Sequence, residues 1–542
     1  MKLFRALVVD DEKAIRTQAE TLTDPVAGIE IETAASLEDA MEVICKGFFH
    51  IAFVDLSLHK NYKDNTDGAT VLRHLQDLRP SCRRILLTAY ATEHREQVFH
   101  LLDPDRPRIH GALDKNDFGR NFLQALSAEA EAWLAAPVEV PERELEQLFK
   151  RLQAGDINGS ISGPHRIELT RSEVDFVVSS LFGQGSRTEK LEGADLRDVH
   201  LTPLAGGKSR AVVLAALPSD GWGAPGIRCV VKIGPRDDVA EERRRYDRYV
   251  RFRVSLRRRV EILGHVEGDS LGAVCYSFAG HSPEQVTDVQ ALLDDGAYPE
   301  ALQAVEHTIG RAEDWPFEPA PGDDLGGFFH SAYALEPSKV VKDVDRLADK
   351  LAGQLGARHE DSSLIFEGGS LQLPSESLLG AGALREPYGV SIVHGDLNAR
   401  NVIVAADGRT TLIDFRHTSR GPWALDFAAL HASIRLSTPV VAGITERVPK
   451  EERFEQRLWD YGWEDKDGWW PPQAKKDPPG WTQVAALLMY YAFRNLNGLT
   501  RKEYVATCLL YGVRILKTSL SDEERLRLLV WISPLCRILE KD

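Results

Sequence analysis

Ala6-Leu-Val-Val-Asp-Asp-Glu12 sets four apolar residues directly against three carboxylates. A short apolar run bounded by charge reads as a buried strand. Acids at its carboxyl end lie where open parallel sheets bind ligands. Working outward, apolar runs recur at 5–9, 30–33, 51–54, 84–87 and 110–113, with amphipathic stretches at 36–47 and 69–78 between them. Alternating βα units with apolar strands imply a five-stranded, doubly wound parallel α/β sheet over 1–125.

The strand ends carry chemistry. Asp10 and Asp11 follow the first strand, Asp55 the third, Thr88 the fourth, and Lys115 closely follows the fifth. Carboxylates converging in one crevice repel one another unless a hard divalent cation such as Mg²⁺ neutralises them. Asp55 beside such a metal could attack a phosphoryl group, with Lys115 balancing charge and Thr88 hydrogen-bonding the phosphoryl oxygens. The plain alternative for each residue is a solvated strand end.

With these residues the N-terminal part resembles the receiver domain of bacterial two-component response regulators. The resemblance implies that Asp55 is the phosphoacceptor, that Asp10, Asp11 and Asp55 hold Mg²⁺, that Thr88 and Lys115 are switch residues, and that a sensor histidine kinase is the partner. Three departures stand out: Asn116 where the family usually has proline, Ala112 at the aromatic switch position, and a lengthened loop at 57–68.

The remainder reads as a helical linker over 126–160, interrupted by Pro137 and Pro141 with a flexible break at 155–159. A strand-rich stretch follows over 161–280, with strands at 211–217, 228–233 and 273–278 and one helix over 239–260. The helical region 281–542 carries short apolar runs at 391–404 and 411–415, a Pro/Trp-rich loop at 469–481 and a C-terminal extension.

Within it, Ser391-Ile-Val-His-Gly-Asp-Leu-Asn-Ala-Arg-Asn401 precedes Leu412-Ile-Asp-Phe415. At this spacing Asp396 could take a hydroxyl proton while Asn401 and Asp414 hold Mg²⁺ ions that bridge ATP phosphates. Lys232 lies on an apolar strand, and Glu242, in preference to Glu241, could anchor it. Gly206, Gly207 and Ser209 offer a glycine turn over the phosphates. This turn is not a P-loop, because a strand and not a helix follows it. An ordinary hairpin is the alternative.

These features resemble the protein-kinase-like fold in its aminoglycoside phosphotransferase and choline-kinase branch, over about 165–450. The resemblance implies ATP as donor, Asp396, Asn401 and Asp414 as catalytic residues, Asp426 as support of the loop, and an N-lobe (161–280) followed by a helical C-lobe (281–542). The whole is then multi-domain, α/β plus α+β: a receiver followed by a bilobal kinase-like domain acting on a small-molecule or protein hydroxyl. The alternative is a pseudokinase-like nucleotide-binding scaffold controlled by the receiver.

Composition bounds these readings. The chain has 542 residues, 43 % hydrophobic and 27 % charged, which fits several globular domains. A net charge of −16 speaks against nucleic acid as a general partner. Nine arginines within 243–259 could still meet an anionic partner or dock on the acidic receiver, the alternative being a solvated helix face. No membrane span or targeting segment is visible, and six scattered cysteines suit reduced thiols, so a cytoplasmic location is expected. A homodimer is one expected assembly.

Overall fold

The computed structural model describes residues 3–23, 26, 28–58, 67–89, 109–134, 139–154, 168–182, 196–204, 211–220, 222–279, 286–309, 320–321, 324–380, 388–437, 448, 452–453, 455–456, 459, 480–495, 499–518 and 520–541. The chain divides into two compact units, Met1–Arg243 with Glu261–Phe278, and Arg244–Val260 with Ala279–Asp542.

In the first unit, β1 (Phe4–Val9), β2 (Ile29–Ala34), β3 (Ile51–Asp55), β4 (Arg83–Thr88) and β5 (Gly111–Asp114) form a parallel sheet in the order β2-β1-β3-β4-β5. Every residue of β3 is buried, as a central strand covered on both faces requires. Alternate side chains feed two cores: Leu7, Val9, Ala52 and Val54 on one face, Ala6, Val8, Ile51 and Phe53 on the other. The helix Leu37–Lys46 starts at Ser36, whose side chain accepts the Asp39 N–H and so satisfies an otherwise unpaired donor.

A second sheet of the same unit is antiparallel: β6 (Leu196–Pro203), β7 (Val212–Asp220), β8 (Cys229–Pro235), β9 (Ile262–Glu267) and β10 (Leu271–Ser277), in the order β6-β7-β8-β10-β9. The helices Glu142–Ala154 and Arg171–Phe182 bury Leu145, Leu148, Leu152, Val174, Val177 and Leu181 against its Val199, Val231 and Cys275.

The stretch 126–160 is therefore not a free linker. Leu126 and Ala130 of the helix Phe118–Leu134 cover the first sheet. The leucine stripe of Glu142–Ala154, with leucines three and four residues apart, belongs to the second sheet. The break at 155–159 lies outside the described residues.

Between the two sheets sits a buried ion cluster. The fully buried Arg79, at the end of the helix Asp67–Leu78, donates from Nε to the Ile44 carbonyl at 2.8 Å. Its guanidinium lies 3.5 Å from the Asp269 carboxylate and 4.0 Å from that of Glu173, both also buried. Ser81 donates to Asp269 through both its N–H and its hydroxyl. The rings of Phe48, His50, Trp133 and Phe176 meet one another edge-on or tilted, with His50 and Trp133 centroids 4.7 Å apart.

Among the described residues the second unit holds three small sheets: β11 (Val286–Asp288) with β17 (Val402–Ala405) and β18 (Thr410–Leu412); β12 (Ala320–Pro321) with β16 (Gly389–Val393) and β19 (Ser419–Pro422); and β13 (Arg358–Glu360), β14 (Ser363–Phe366) and β15 (Gly369–Gln372). Its main core is helical. Helix Leu425–Leu436 is buried on nearly every side and packs with the helices Gly480–Asn495, Arg501–Leu516 and Asp522–Lys541.

The helix expected over 239–260 ends sooner. Tyr246–Val250 is helical, and turns follow. There Arg258 donates to the carbonyls of His307 and Thr308, and Arg259 to those of Val254 and Arg251. These two side chains bind backbone oxygens, whereas Arg244, Arg248, Arg251, Arg253 and Arg257 of the same stretch are exposed. Among the described residues no helix is long and apolar enough to cross a membrane. The Pro/Trp-rich loop lies almost wholly outside them.

Candidate functional site

At the carboxyl ends of β1 and β3, oxygens of Asp10, Asp11 and Asp55 lie within 4.8 Å of one another, with Asp10 and Asp55 buried. The Lys115 ammonium reaches both buried carboxylates, at 2.8 Å from Asp10 and 2.9 Å from Asp55, and lies 3.5 Å from Glu12. Burial raises the Asp55 pKa to about 6, against the opposing pull of Lys115. Burial likewise raises Asp10. For Lys115 burial disfavours the charge, but Asp55 and Asp10 outweigh it and raise its pKa. Clustered hard oxygen donors with more negative charge than one lysine balances suit Mg²⁺.

Thr88 is buried one residue beyond Leu87, the strand partner of Asp55. Asn116 donates its N–H to Asp114 Oδ1, a bond no proline could make. Ala112 is exposed and offers no ring. Gly68 went unnoticed in the sequence. A Cβ there would lie 1.9 Å from the Asp55 carbonyl oxygen, so only glycine lets the helix Asp67–Leu78 approach this strand end. Residues 59–66 of the lengthened loop are not described.

Elsewhere in the same unit, Lys232 sits on β8, the central strand of the second sheet, and its Nζ lies 2.7 Å from Glu242 Oε2. Both are buried, and Tyr276 donates its hydroxyl to the other Glu242 oxygen. Glu242 and not Glu241 is the buried acid of the helix Arg236–Arg245. Gly206, Gly207 and Ser209 lie outside the described residues.

In the second unit the loop after β16 is held from its backbone. Asp426, in the first turn of Leu425–Leu436, accepts the N–H groups of His394 at 2.7 Å and Gly395 at 2.9 Å. Burial raises the Asp426 pKa, partly offset by His394 and by these bonds. His394 Nε2 bonds the Ile413 carbonyl, which places this histidine as an organiser of the loop. Gly395 has φ +80°, and a Cβ there would lie 2.3 Å from the His417 carbonyl oxygen.

Asn401 donates from Nδ2 to the Asp396 carbonyl at 2.7 Å, and Asn398 from its Nδ2 to Asp396 Oδ2 at 3.2 Å. Asp414 follows the β17–β18 hairpin with φ +62°, a left-handed backbone that costs a non-glycine residue roughly 1–2 kcal/mol. Two side chains that the sequence did not bring forward also reach this loop: Tyr511, whose hydroxyl donates to Asp396 Oδ1 at 3.2 Å, and Arg514, 3.6 Å from the same oxygen.

Comparison with known proteins identifies the domain that carries the first cluster. Residues 6–103 match the response regulator receiver domain family, so the N-terminal part of this chain is a receiver domain. The chain is accordingly a two-component response regulator, and receiver domains are in general phosphorylated by sensor histidine kinases.

Residues 344–460 match a second family, the ternary complex associated domain 9, whose span takes in the loop from His394 to Asp426. A CheY-like receiver domain protein from Methanospirillum hungatei JF-1 is 24 % identical over 24 % of this chain and 98 % of its own, with TM-score 0.19. The receiver domain of an HD domain-containing protein from Pseudomonas fluorescens Pf-5 is 20 % identical over 25 % of this chain and 92 % of its own, with TM-score 0.21. No curated protein matches the chain.

Proposed function

We propose that the output of this response regulator is an ATP-dependent phosphotransferase of the protein-kinase-like fold. The observation that carries this reading is the loop at 394–401: Asp426 grips its backbone, and Asn401 fixes the Asp396 carbonyl. Support comes from the Lys232–Glu242 pair on a five-stranded antiparallel sheet and its helix, an arrangement suited to presenting an ammonium to nucleotide phosphates.

In this reading Asp55 is the phosphoacceptor of the receiver, with Asp10 and Asp11 as its metal partners and Thr88 and Lys115 as the groups that meet the phosphoryl oxygens. At the output, Asp396 takes the proton of the acceptor hydroxyl. The acceptor oxygen then bonds the γ-phosphorus as the bond to the ADP oxygen breaks. Asn401 and Asp414 offer hard oxygens for Mg²⁺, which neutralises phosphate charge when bound.

The test is Mg²⁺-dependent ATP consumption or self-phosphorylation by the full chain beside Asp396→Asn. Turnover that falls by about 10²–10⁴ in the variant sustains the reading. Nucleotide binding without turnover, unchanged by the substitution, replaces it with a nucleotide-binding scaffold. Beryllofluoride, a mimic of the acyl phosphate on Asp55, should change the turnover. An unchanged rate would uncouple receiver from output.

A further inference from the structure

We infer that Tyr511 and Arg514 are positioning residues for Asp396, a role that rests on the phosphotransferase reading. Both stand on the helix Arg501–Leu516, beyond the region matched by either family. They are three residues apart, so they share one helical face, and both address the same carboxylate oxygen. The Tyr511 hydroxyl lies 3.2 Å from Asp396 Oδ1, and an Arg514 nitrogen 3.6 Å from it.

The cluster is built, not incidental. Burial, with the neighbouring Asp396 charge, keeps the Tyr511 hydroxyl protonated far above its usual range, so it remains a donor. The Arg514 guanidinium lies over the Tyr333 ring at 3.9 Å and donates to the Gly395 carbonyl. Tyr333 donates its own hydroxyl to that carbonyl at 3.2 Å. One face of the loop at 395–396 is thus clasped by three side chains from outside it.

The consequence is an asymmetric carboxylate. Oδ1 is occupied by a neutral donor and a cation, so the acceptor's proton passes to Oδ2, whose contact is Asn398 from within the loop. A fixed rotamer of this kind contributes to the rate of transfer and not to nucleotide affinity.

The experiment compares the full chain with Tyr511→Phe, Arg514→Leu and Arg514→Lys, measuring kcat, the KM for ATP and thermal unfolding. The expected result is a fall in kcat of about 10–100-fold in the first two, with KM for ATP within about twofold. Arg514→Lys, which keeps the charge, should recover most of the loss. If Arg514→Leu does not fold, Tyr511→Phe removes a single oxygen and carries the test alone. Turnover that Asp396→Asn abolishes while Tyr511→Phe and Arg514→Leu retain it overturns the positioning role only. So does a loss confined to KM. A wild-type chain without turnover overturns the phosphotransferase reading and this inference together.

Discussion

In the receiver, three carboxylates meet around one ammonium. At the loop 394–401, Asp426 is held by two backbone N–H groups of the loop, and Asp396 within it by an asparagine and a tyrosine–arginine pair. The first arrangement has too few cations for its acids, and two of those acids are raised by burial. It is a place where charge can be added or withdrawn, as a metal or a phosphoryl group would do. The second has its acids individually tied, and its geometry rather than its charge is what the surroundings protect. One centre is suited to switching and the other to repeating the same step.

Three changes would break or sharpen this contrast. The largest effect is expected at Asp426→Ala, which leaves two buried N–H donors without an acceptor. A loss of about 3–6 kcal/mol in the unfolding free energy of the second unit follows, read by denaturant titration. A loss under about 1 kcal/mol would show that the loop is held by other means.

Next is Lys115→Met, which strands Asp10 and Asp55 as buried carboxylates. Its cost is about 3–5 kcal/mol without divalent metal. Millimolar Mg²⁺ should restore most of it, and a loss indifferent to Mg²⁺ would argue against a cation site there.

At neutral pH the smallest effect concerns protons away from both centres. Burial lowers the His50 pKa to about 3 in the folded chain, against about 6.5 unfolded. The folded state then binds fewer protons, so its stability is complete above pH 6.5 and falls as pH drops toward 3, by up to about 1.4 kcal/mol per pH unit. His50→Asn, which keeps an acceptor for the Arg5 N–H, should flatten that slope. An unchanged slope would place the acid sensitivity elsewhere.

The first sheet was legible because β1, β3 and β4 carry short buried apolar runs, with the acids Asp10, Asp11 and Asp55 at the ends of β1 and β3. Ser36 even marks a helix start by its capping chemistry. The second sheet was legible only in its centre. Its edge strands β6 and β9 expose residues such as Arg197, Asp198 and Glu267, which dilute the apolar signal, and the sheet β13–β15 is too short and polar to register. Around the HGD loop, Asp396, Asn401, Asp414 and Asp426 lie within a short span of sequence and could be seen together. Tyr511 could not be, because it reaches Asp396 from 115 residues further along the chain. Only the folding of the last helices brings it there.

Arg79 bears on how such a chain can be cut and recombined. Its guanidinium belongs to the receiver, and its carboxylate partners Glu173 and Asp269 belong to the second sheet's layer. A fragment that starts after the receiver would keep both acids and lose their cation, and it would uncover Phe176 where Phe48 now covers it. The receiver is therefore not an interchangeable cassette. A receiver grafted in its place would need a cation at the same corner to meet Glu173 and Asp269.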